Sequence, residues 1–338
     1  MGISDFSRER RDWLVGAGAS ALALALPAGA QTQPVRERLV LAGPLANVSF
    51  PLMRLAESGA LAALADKVEF RAWTNPDQLR ALAVDGGADF VAAPSNVAAN
   101  LYNRGVPLKL LDVSVWGILW LVSRNSQWQT LADFKGQEIT LPFRADMPDI
   151  VFQLLARRQG LDPQKDFRIR YVASPMDAMQ LLVSRRTDHA LLAEPAVSMA
   201  LRKTRSFPVS VIAPELFRSV DLQREWGRVF GRAPRIPQAG IAAVGAVRDD
   251  AVLLAQMRQA LAEAHAWCWA NPAECGQMAA RYAGMLQPEA VADSLQAVPA
   301  FYRTAAQARE ELEFFYGLLL ENQPALVGGR LPDAGFYG

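Results

Sequence analysis

The chain has 338 residues, of which 51% are hydrophobic and 20% charged, which is typical of a globular protein of about two domains and excludes a disordered or collagen-like chain. Its 35 basic and 34 acidic residues leave a net charge of +1, so it has no charge excess of the kind that binds nucleic acid or an anionic membrane surface. Two cysteines and two histidines at their spacing fit no zinc motif, and we predict neither a metal nor another cofactor.

Residues 1–30 have the pattern of a signal peptide. Three arginines within residues 8–11 precede an apolar run over 13–26, and residues 28–30 form a small-x-small cleavage site. The apolar run is too short to span a bilayer stably. The arginines resemble a twin-arginine export signal with two departures from its pattern, so twin-arginine export and general secretion both stay open. We predict cleavage near Ala30 and a periplasmic product that does not insert into a membrane.

The following part of the chain contains a repeat with an offset of 99 residues. Identities between the two copies are few, and the shared order of predicted elements is the stronger indication. The aligned positions include Val40 with Ile139, Leu55 with Leu154, Arg71 with Arg170, Pro76 with Pro175, Leu82 with Leu181 and Asp89 with Asp188.

Each copy is predicted to alternate three strands with three helices. In the first copy the strands are Arg38–Ala42, Val68–Trp73 and Asp89–Ala93, and the helices are Val48–Ala65, Pro76–Val84 and Asn96–Asn103. In the second copy the strands are Glu138–Leu141, Phe167–Val172 and His189–Ala193, and the helices are Pro148–Arg158, Pro175–Ser184 and Pro195–Lys203. Short apolar strands between amphipathic helices predict an α/β fold with parallel-rich sheets covered on both faces.

The two copies predict two similar lobes around a central cleft. The apolar run Val113–Val122 is predicted to leave the first lobe as one long strand, and residues 236–241 are predicted to return to it. On this interpretation lobe I comprises residues 36–120 plus 241–338, and lobe II comprises residues 121–240. The two crossings would form a hinge.

The two thiols, Cys268 and Cys275, lie close together in the helical C-terminal part of the chain. Cys268 is near the end of a predicted helix from Asp249 to Trp269, and Asn271-Pro272 breaks the pattern before the next helix. An exported compartment permits a disulfide between them, worth roughly 2–3 kcal/mol. Two free, half-buried thiols in a helical hairpin are the alternative, and the sequence leaves both open.

A ligand is expected at the carboxyl ends of the parallel strands, where such sheets form their binding crevice. Two facing lobes would place six strand-to-helix turns around one cleft. Helix N-termini at these turns offer unpaired amides that suit carboxylate, sulfonate, nitrate or phosphate. The candidate ligand-binding residues are Asn47, Trp73, Thr74, Ser95, Asn96, Trp116, Arg144, Asp146, Glu194 and Gln238.

Each candidate also has a structural interpretation. Arg144 is the one cation in these turns and suits an oxyanion, but it is equally explained as a surface arginine paired with Asp146 or Asp149. Trp73 and Trp116 suit the walls of an organic ligand site, or they pack in the core at strand ends. The remaining polar candidates are also typical helix caps. No nucleophile–base pair and no nucleotide-binding motif stands out, so we predict that the protein is not an enzyme.

Five short segments carry a resemblance to a known family. They are Ala88–Gly105 (ADFVAAPSNVAANLYNRG), Trp116–Leu119 (WGIL), Leu131–Gly136 (LADFKG), Asp188–Pro195 (DHALLAEP) and Leu331–Asp333 (LPD). In this order, the chain from about Leu39 to Tyr337 resembles the nitrate/sulfonate/taurine-type substrate-binding proteins of ABC importers. These are similar in turn to the thiamine-precursor synthases, whose cysteine-rich motif is missing from this sequence.

The resemblance implies a type-II periplasmic-binding fold in which a ligand closes the cleft between hinged lobes. It also implies capture of a small organic anion or zwitterion, a membrane permease with its ATPase as partners, and a monomeric protein. A periplasmic enzyme or a sensor-type binding protein with the same fold is the alternative, and this includes a receptor for a thiamine- or pyrimidine-precursor heterocycle.

Overall fold

The computed structural model describes residues 36–213 and 215–338, so the predicted signal peptide at residues 1–30 lies outside the described part. The strands are β1 Arg36–Gly43, β2 Ala65–Ala72, β3 Phe90–Pro94, β4 Leu108–Leu110, β5 Asp112–Val113, β6 Leu119–Ser123, β7 Glu138–Pro142, β8 Arg168–Val172, β9 His189–Ala193, β10 Phe217–Asp221, β11 Ala239–Val244 and β12 Arg303–Thr304. The helices are α1 Phe50–Ser58, α2 Pro76–Val84, α3 Ser95–Asn103, α4 Met147–Arg158, α5 Pro175–Val183, α6 Ala196–Arg205, α7 Val209–Ile212, α8 Leu222–Phe230, α9 Ala251–Ala270, α10 Pro272–Tyr282, α11 Pro288–Ala297 and α12 Arg309–Asn322. Within these ranges no helix has the length and apolar character needed to cross a membrane.

Two five-stranded sheets share one design. The first has the order β2-β1-β3-β11-β4 and the second the order β8-β7-β9-β6-β10. In each, the first three strands are parallel, and the fourth is antiparallel to the third. Strands β1–β4 belong to the first sheet and β6–β10 to the second, and β11 belongs to the first again, so the chain passes between the sheets twice. This arrangement confirms the predicted two-lobed α/β fold with parallel-rich sheets.

The predicted repeat is present in the three-dimensional structure. The helices α2 and α5 begin at Pro76 and Pro175, and the strands β3 and β9 begin at Phe90 and His189, so both pairs keep the offset of 99 residues. The strand orders β2-β1-β3 and β8-β7-β9 are equivalent. The repeat therefore places equivalent turns at the carboxyl ends of the strands in both sheets.

Matching helix caps fix two of these turns. The Asn75 side chain accepts hydrogen bonds from the backbone amides of Asp77 and Gln78 (3.1 and 3.0 Å), and Ser174 accepts one from the amide of Asp177 (3.2 Å). Each cap stands before a proline at the first helical position, where no amide hydrogen is needed. Such caps contribute about 1 kcal/mol each and set where α2 and α5 begin.

Helix α1 is shorter than the predicted Val48–Ala65. It ends at Ser58 because Gly59 adopts a left-handed conformation (φ +69°), which stops helices efficiently. Strand β2 then begins at Ala65 and pairs in parallel with β1. Residues 61–64, which the predicted helix included, instead form the turn that leads into this strand.

The predicted single strand Val113–Val122 is wrong. It divides into β5 and β6, because Gly117 has φ +125° and turns the backbone between them. The indole Nε1 of Trp116 donates to the carbonyl of Val113 (2.8 Å), which holds the turn in place. The first crossing is therefore a fixed turn between two short strands.

The C-terminal helices connect both halves of the molecule. Helix α10 packs on α1, and α11 packs on α6. Cys268 and Cys275 are buried in this region as free thiols. A hydrogen bond with Cys275, together with burial, raises the pKa of the Cys268 thiol well above its usual value, so we expect it to be a poor nucleophile.

Candidate functional site

A cavity of about 210 Å³ lies where the turns after β1, β2 and β3 meet those after β7, β8 and β9. Pockets for drug-sized ligands have volumes of about 300–1,000 Å³, so this one suits a smaller molecule. Its walls are predominantly apolar, and they include Leu45, Trp73, Ile118, Phe143, Met147 and Met176. Among the described residues, no arginine, lysine or histidine lines it.

Asp146 is the one carboxylate in the described lining of this cavity. It caps α4, and its side chain accepts a hydrogen bond from the Met147 amide (2.8 Å). Burial raises the pKa of Asp146, while the Met147 hydrogen bond and the charge of Arg80 from the opposite half of the cleft act to lower it. A buried carboxyl group with spare acceptor capacity favours a ligand that offers N–H or O–H donors.

Gln238 connects the cavity to both crossings of the chain. Its Oε1 accepts a hydrogen bond from the Ile118 amide (3.2 Å), and its backbone amide donates to the carbonyl of Val115 (3.0 Å). The same residue's carbonyl accepts from the Ser95 amide (3.0 Å). A ligand that touches Gln238 therefore contacts the segment in which the chain returns from the second sheet to the first.

Trp73 and Thr74 come from the turn after β2. The Trp73 ring is buried at the cavity wall, and its Nε1 donates to the carbonyl of Ala92 (3.3 Å). Thr74 lines the same cavity, and both its amide and its hydroxyl donate to Oε1 of Gln78 (2.8 and 3.1 Å). The hydrogen bond to Ala92 thus fixes the Trp73 ring as a flat wall of the cavity.

Four of the ten predicted residues line the cavity, and the structure places the others elsewhere: Asn47, Ser95, Asn96, Trp116, Arg144 and Glu194. Ser95 donates to the carbonyl of Pro237 (2.6 Å), and Asn47 and Asn96 are both buried, with Asn47 accepting a hydrogen bond from the Ser294 hydroxyl (3.3 Å). Arg144 is exposed, with its guanidinium carbon 5.3 Å from the centre of the Tyr171 ring.

Trp116 and Glu194 have partners distant in sequence. The Trp116 ring packs edge-on against Phe301 (5.0 Å between ring centres), which corresponds to its core interpretation. Glu194 is fully buried and accepts hydrogen bonds from Arg218 (2.6 Å) and from the Ser198 amide (3.0 Å). Its charge is therefore used within the protein.

Sequence reasoning missed the apolar lining. Phe143, Met147, Met176 and Met285 contribute to the cavity, whereas the predicted site residues are polar side chains and tryptophans. Phe143 lies in a strand-to-helix turn that the repeat identifies, and Met176 lies in the first turn of α5, directly after another such turn, so their positions were a usable signal. Met285 comes from the turn between α10 and α11, and no local pattern marks it.

The turn after β7 has strained backbone. Phe143 and Ala145 have φ +57° and +58°, a left-handed conformation that costs residues with a side chain roughly 1–2 kcal/mol each. The amide of Ala145 donates to a carboxylate oxygen of Asp149 (2.8 Å), which helps to hold this conformation. Strain of this kind is concentrated at binding sites, and here it sets the position of Asp146.

We expect Ala145→Gly to raise the free energy of unfolding by about 0.5–1 kcal/mol, because glycine removes the left-handed penalty and its extra chain entropy offsets part of that gain. Urea unfolding followed by circular dichroism measures the change. Ala81→Gly is the matched control, since Ala81 is exposed within α2 and should lose about 1 kcal/mol. Equal losses in the two variants would contradict the strain at Ala145.

No protein-family model and no curated protein matches the chain. Among solved structures, an ABC transporter protein from Parabacteroides distasonis has a TM-score of 0.72 and 23% identity, over 89% of this chain and 99% of the other. The periplasmic aliphatic sulphonate binding protein SsuA from Escherichia coli has a TM-score of 0.63 and 17% identity, over 88% and 92%. The periplasmic nitrate-binding protein NrtA from Synechocystis PCC 6803 has a TM-score of 0.65 and 14% identity, over 86% and 84%. At these identities the likeness establishes a shared fold, that of the periplasmic binding proteins.

Proposed function

We propose that the protein is the periplasmic solute-binding component of an ABC importer, which captures a small organic molecule in the cleft cavity and delivers it to a membrane permease. The observation that carries this proposal is the cavity itself. It lies at the carboxyl ends of strands from both sheets and between two chain crossings. The fold shared with the sulphonate- and nitrate-binding proteins supports it.

The mechanism is a population shift between open and closed arrangements of the two halves. A ligand that contacts Trp73 from the first half and Asp146 from the second gains its full set of contacts only when both are close, so it favours the closed arrangement. Micromolar capture requires a binding free energy of about −8 kcal/mol. Burial of an apolar ligand face in this cavity, plus hydrogen bonds to Asp146 and Gln238, supplies interactions of that kind.

The lining favours a nitrogen heterocycle over a simple anion. A carboxylate without a neighbouring cation in the lining repels nitrate or a sulfonate, whereas it accepts hydrogen bonds from an amino group or a protonated ring nitrogen. The flat wall of Trp73 suits an aromatic ring. Of the ligand classes that the resemblance implies, we therefore place the pyrimidine-type heterocycle first and the organic anion second.

Calorimetry with aminopyrimidines, taurine, an alkanesulfonate and nitrate tests this function. We expect saturable binding without turnover, with an aminopyrimidine at least tenfold tighter than the anions. Asp146→Asn should weaken that binding about tenfold, or about 1.4 kcal/mol, because the amide cannot match a carboxylate as an acceptor. The matched control is Asp85→Asn, which changes an exposed carboxylate outside the cavity.

Three results would overturn parts of this proposal. Conversion of a bound compound to product would support the alternative of a periplasmic enzyme. Tighter binding of taurine or nitrate than of any aminopyrimidine would mean that the cavity prefers a small anion or zwitterion to a heterocycle. If the affinity stayed the same in both Asp146→Asn and Trp73→Phe, the ligand would have to bind outside this cavity.

A further inference from the structure

A second cavity, of about 660 Å³, lies at the β10 edge of the second sheet. Strands β6 and β10, helices α6 and α8, and the loop after β6 contribute to its walls. It shares no lining residue with the cleft cavity. Its chemistry is also opposite, because polar and charged side chains dominate the lining.

Four arginines line this second cavity, against two acidic residues. Three of them form ion pairs at 2.6 Å: Arg205 with Glu215, Arg218 with Glu194, and Arg228 with Glu225. Glu225 belongs to the lining, whereas Glu215 and Glu194 lie outside it. Arg224 has no ion pair within the described part of the chain. The other acidic residue, Asp221, accepts hydrogen bonds from the amides of Gln223 and Arg224 as the cap of α8. The charges at this wall therefore nearly balance, and Arg224 is the guanidinium group there that forms no ion pair among the described residues.

Buried hydrogen-bonding atoms without a partner among the described residues are found on two neighbouring strands of this wall. They are the indole Nε1 of Trp120 on β6, and Nε of Arg218 and the hydroxyl of Ser219 on β10. Arg218 uses Nη2 for Glu194 and for the hydroxyl of Ser198 (2.6 and 2.9 Å), and its Nε has no partner among the described residues. Ser219 lies at a bulge in the pairing of β10 with β6. Two of these atoms can act only as donors, so an acceptor-rich ligand satisfies them.

Aromatic side chains complete the cavity. Trp120 and Trp128 line it, and the guanidinium carbon of Arg218 lies 5.6 Å from the Trp120 ring centre. Guanidinium groups bind phosphate and carboxylate oxygens in a bidentate manner, and indole rings pack against flat organic groups. A volume of about 660 Å³ accommodates an organic molecule in addition to its anionic group.

We propose that this second cavity binds a small organic oxyanion, a phosphate or carboxylate carried on an aromatic body, independently of the cleft. The anionic group lies among Arg218, Arg224 and the Trp120 Nε1, and the ring packs against the indoles. This site binds its ligand without catalysing a reaction. It would be a second ligand site, in addition to the cleft between the two sheets.

Calorimetric titration of the full mature chain with phenyl phosphate, inorganic phosphate and phenol tests the proposal at constant ionic strength. Phenyl phosphate should bind at least tenfold more tightly than inorganic phosphate or phenol, because it alone has both an anionic group and an aromatic ring. Arg224→Ala should weaken it at least fivefold, and Trp120→Phe, which keeps an aromatic ring and removes the donor, at least threefold. Arg157→Ala is the matched control, since it removes an exposed arginine from outside the cavity.

Equal affinity in Arg224→Ala and Arg157→Ala would overturn the proposal, as would equal affinity for phenyl phosphate and phenol. Failure to detect phenyl phosphate binding at millimolar concentration would also overturn it. Thermal unfolding of each variant establishes that a loss of affinity does not reflect a loss of fold. None of these results bears on the cleft ligand, whose tests use Asp146 and Trp73.

Discussion

Gly240→Ala is expected to lower the free energy of unfolding by about 3 kcal/mol or more, as measured by urea unfolding. A Cβ at this position would lie 1.8 Å from the carbonyl oxygen of Asp112 and 2.7 Å from its carbonyl carbon. These are backbone atoms, so no side-chain rotation relieves the overlap. Gly240 is the second residue of β11, the strand that the return crossing leads into, and it pairs with Ala93, so any shift of β11 also breaks its hydrogen bonds with β3.

Gly317→Ala provides the control for this substitution. Gly317 lies within α12, and an added Cβ there meets no other atom within 4 Å. Alanine should therefore raise the free energy of unfolding by roughly 0.5–1 kcal/mol. If Gly240→Ala instead changed stability by less than 1 kcal/mol, the close packing of β11 against β5 at the crossing would be contradicted.

The repeated elements were predictable because their signals are local. A cap followed by proline at Asn75-Pro76 and Ser174-Pro175 fixes the start of α2 and α5, and the apolar run His189–Ala193 matches β9 at both ends. Each signal lies within a few residues of the element it marks. The offset of 99 residues then provided an independent consistency test within a single sequence.

The crossing near Gly117 was not predictable in the same way. Residues Val113–Val122 form one apolar run, which by periodicity alone favours a continuous strand. The break depends on distant partners: the Ile118 amide donates to Gln238 and the Leu119 amide to Gln223, 120 and 104 residues away. Hydrogen bonds across such separations leave no local pattern.

The candidate site was predictable in its location more than in its side chains. Turns at the carboxyl ends of strands do surround the cavity, as the doubled α/β pattern predicts. Glu194 suited a ligand amine until the structure placed Arg218, 24 residues away, against it. A polar residue in such a turn becomes free for a ligand only if the fold brings it no partner, and a single sequence does not show that.

Asp112→Asn is expected to remove a pH dependence of stability. Asp112 is fully buried beside the return crossing, where its side chain accepts hydrogen bonds from the Ile241 amide (3.1 Å) and the Tyr302 hydroxyl (3.3 Å). Burial raises the pKa of Asp112 from 3.8 to about 7, although the hydrogen bonds act to lower it. Asparagine keeps one oxygen acceptor and is neutral at every pH.

The direction of the effect follows from proton binding. Between about pH 4 and pH 7 the folded protein keeps the Asp112 proton that the unfolded chain has already lost, so the contribution of Asp112 to stability falls as the pH rises. The slope reaches at most about 1.4 kcal/mol per pH unit, and the total is on the order of 4 kcal/mol. Burial lowers the pKa of nearby His265 from 6.5 to about 4, so between these values only the unfolded chain binds its proton and the His265 contribution to stability rises with pH. Wild type and Asp112→Asn share this opposite contribution, and it cancels in the difference between them.

Urea unfolding at half-unit intervals from pH 4 to pH 9 gives the free energy of unfolding of wild type and of Asp112→Asn as a function of pH. The difference between these two free energies at each pH isolates the contribution of Asp112. The wild type should lose stability relative to the variant up to about pH 7, and the difference should then become constant. Asp133→Asn is the control, because hydrogen bonds from the Gln129 and Thr130 amides lower the pKa of Asp133 from 3.8, so its contribution is lost only below about pH 4. The difference between wild type and this variant should therefore stay nearly constant over the measured range. A difference between wild type and Asp112→Asn that stays constant from pH 4 to pH 9 would mean that Asp112 ionises normally, and the carboxyl group would then have to be accessible to water at the crossing.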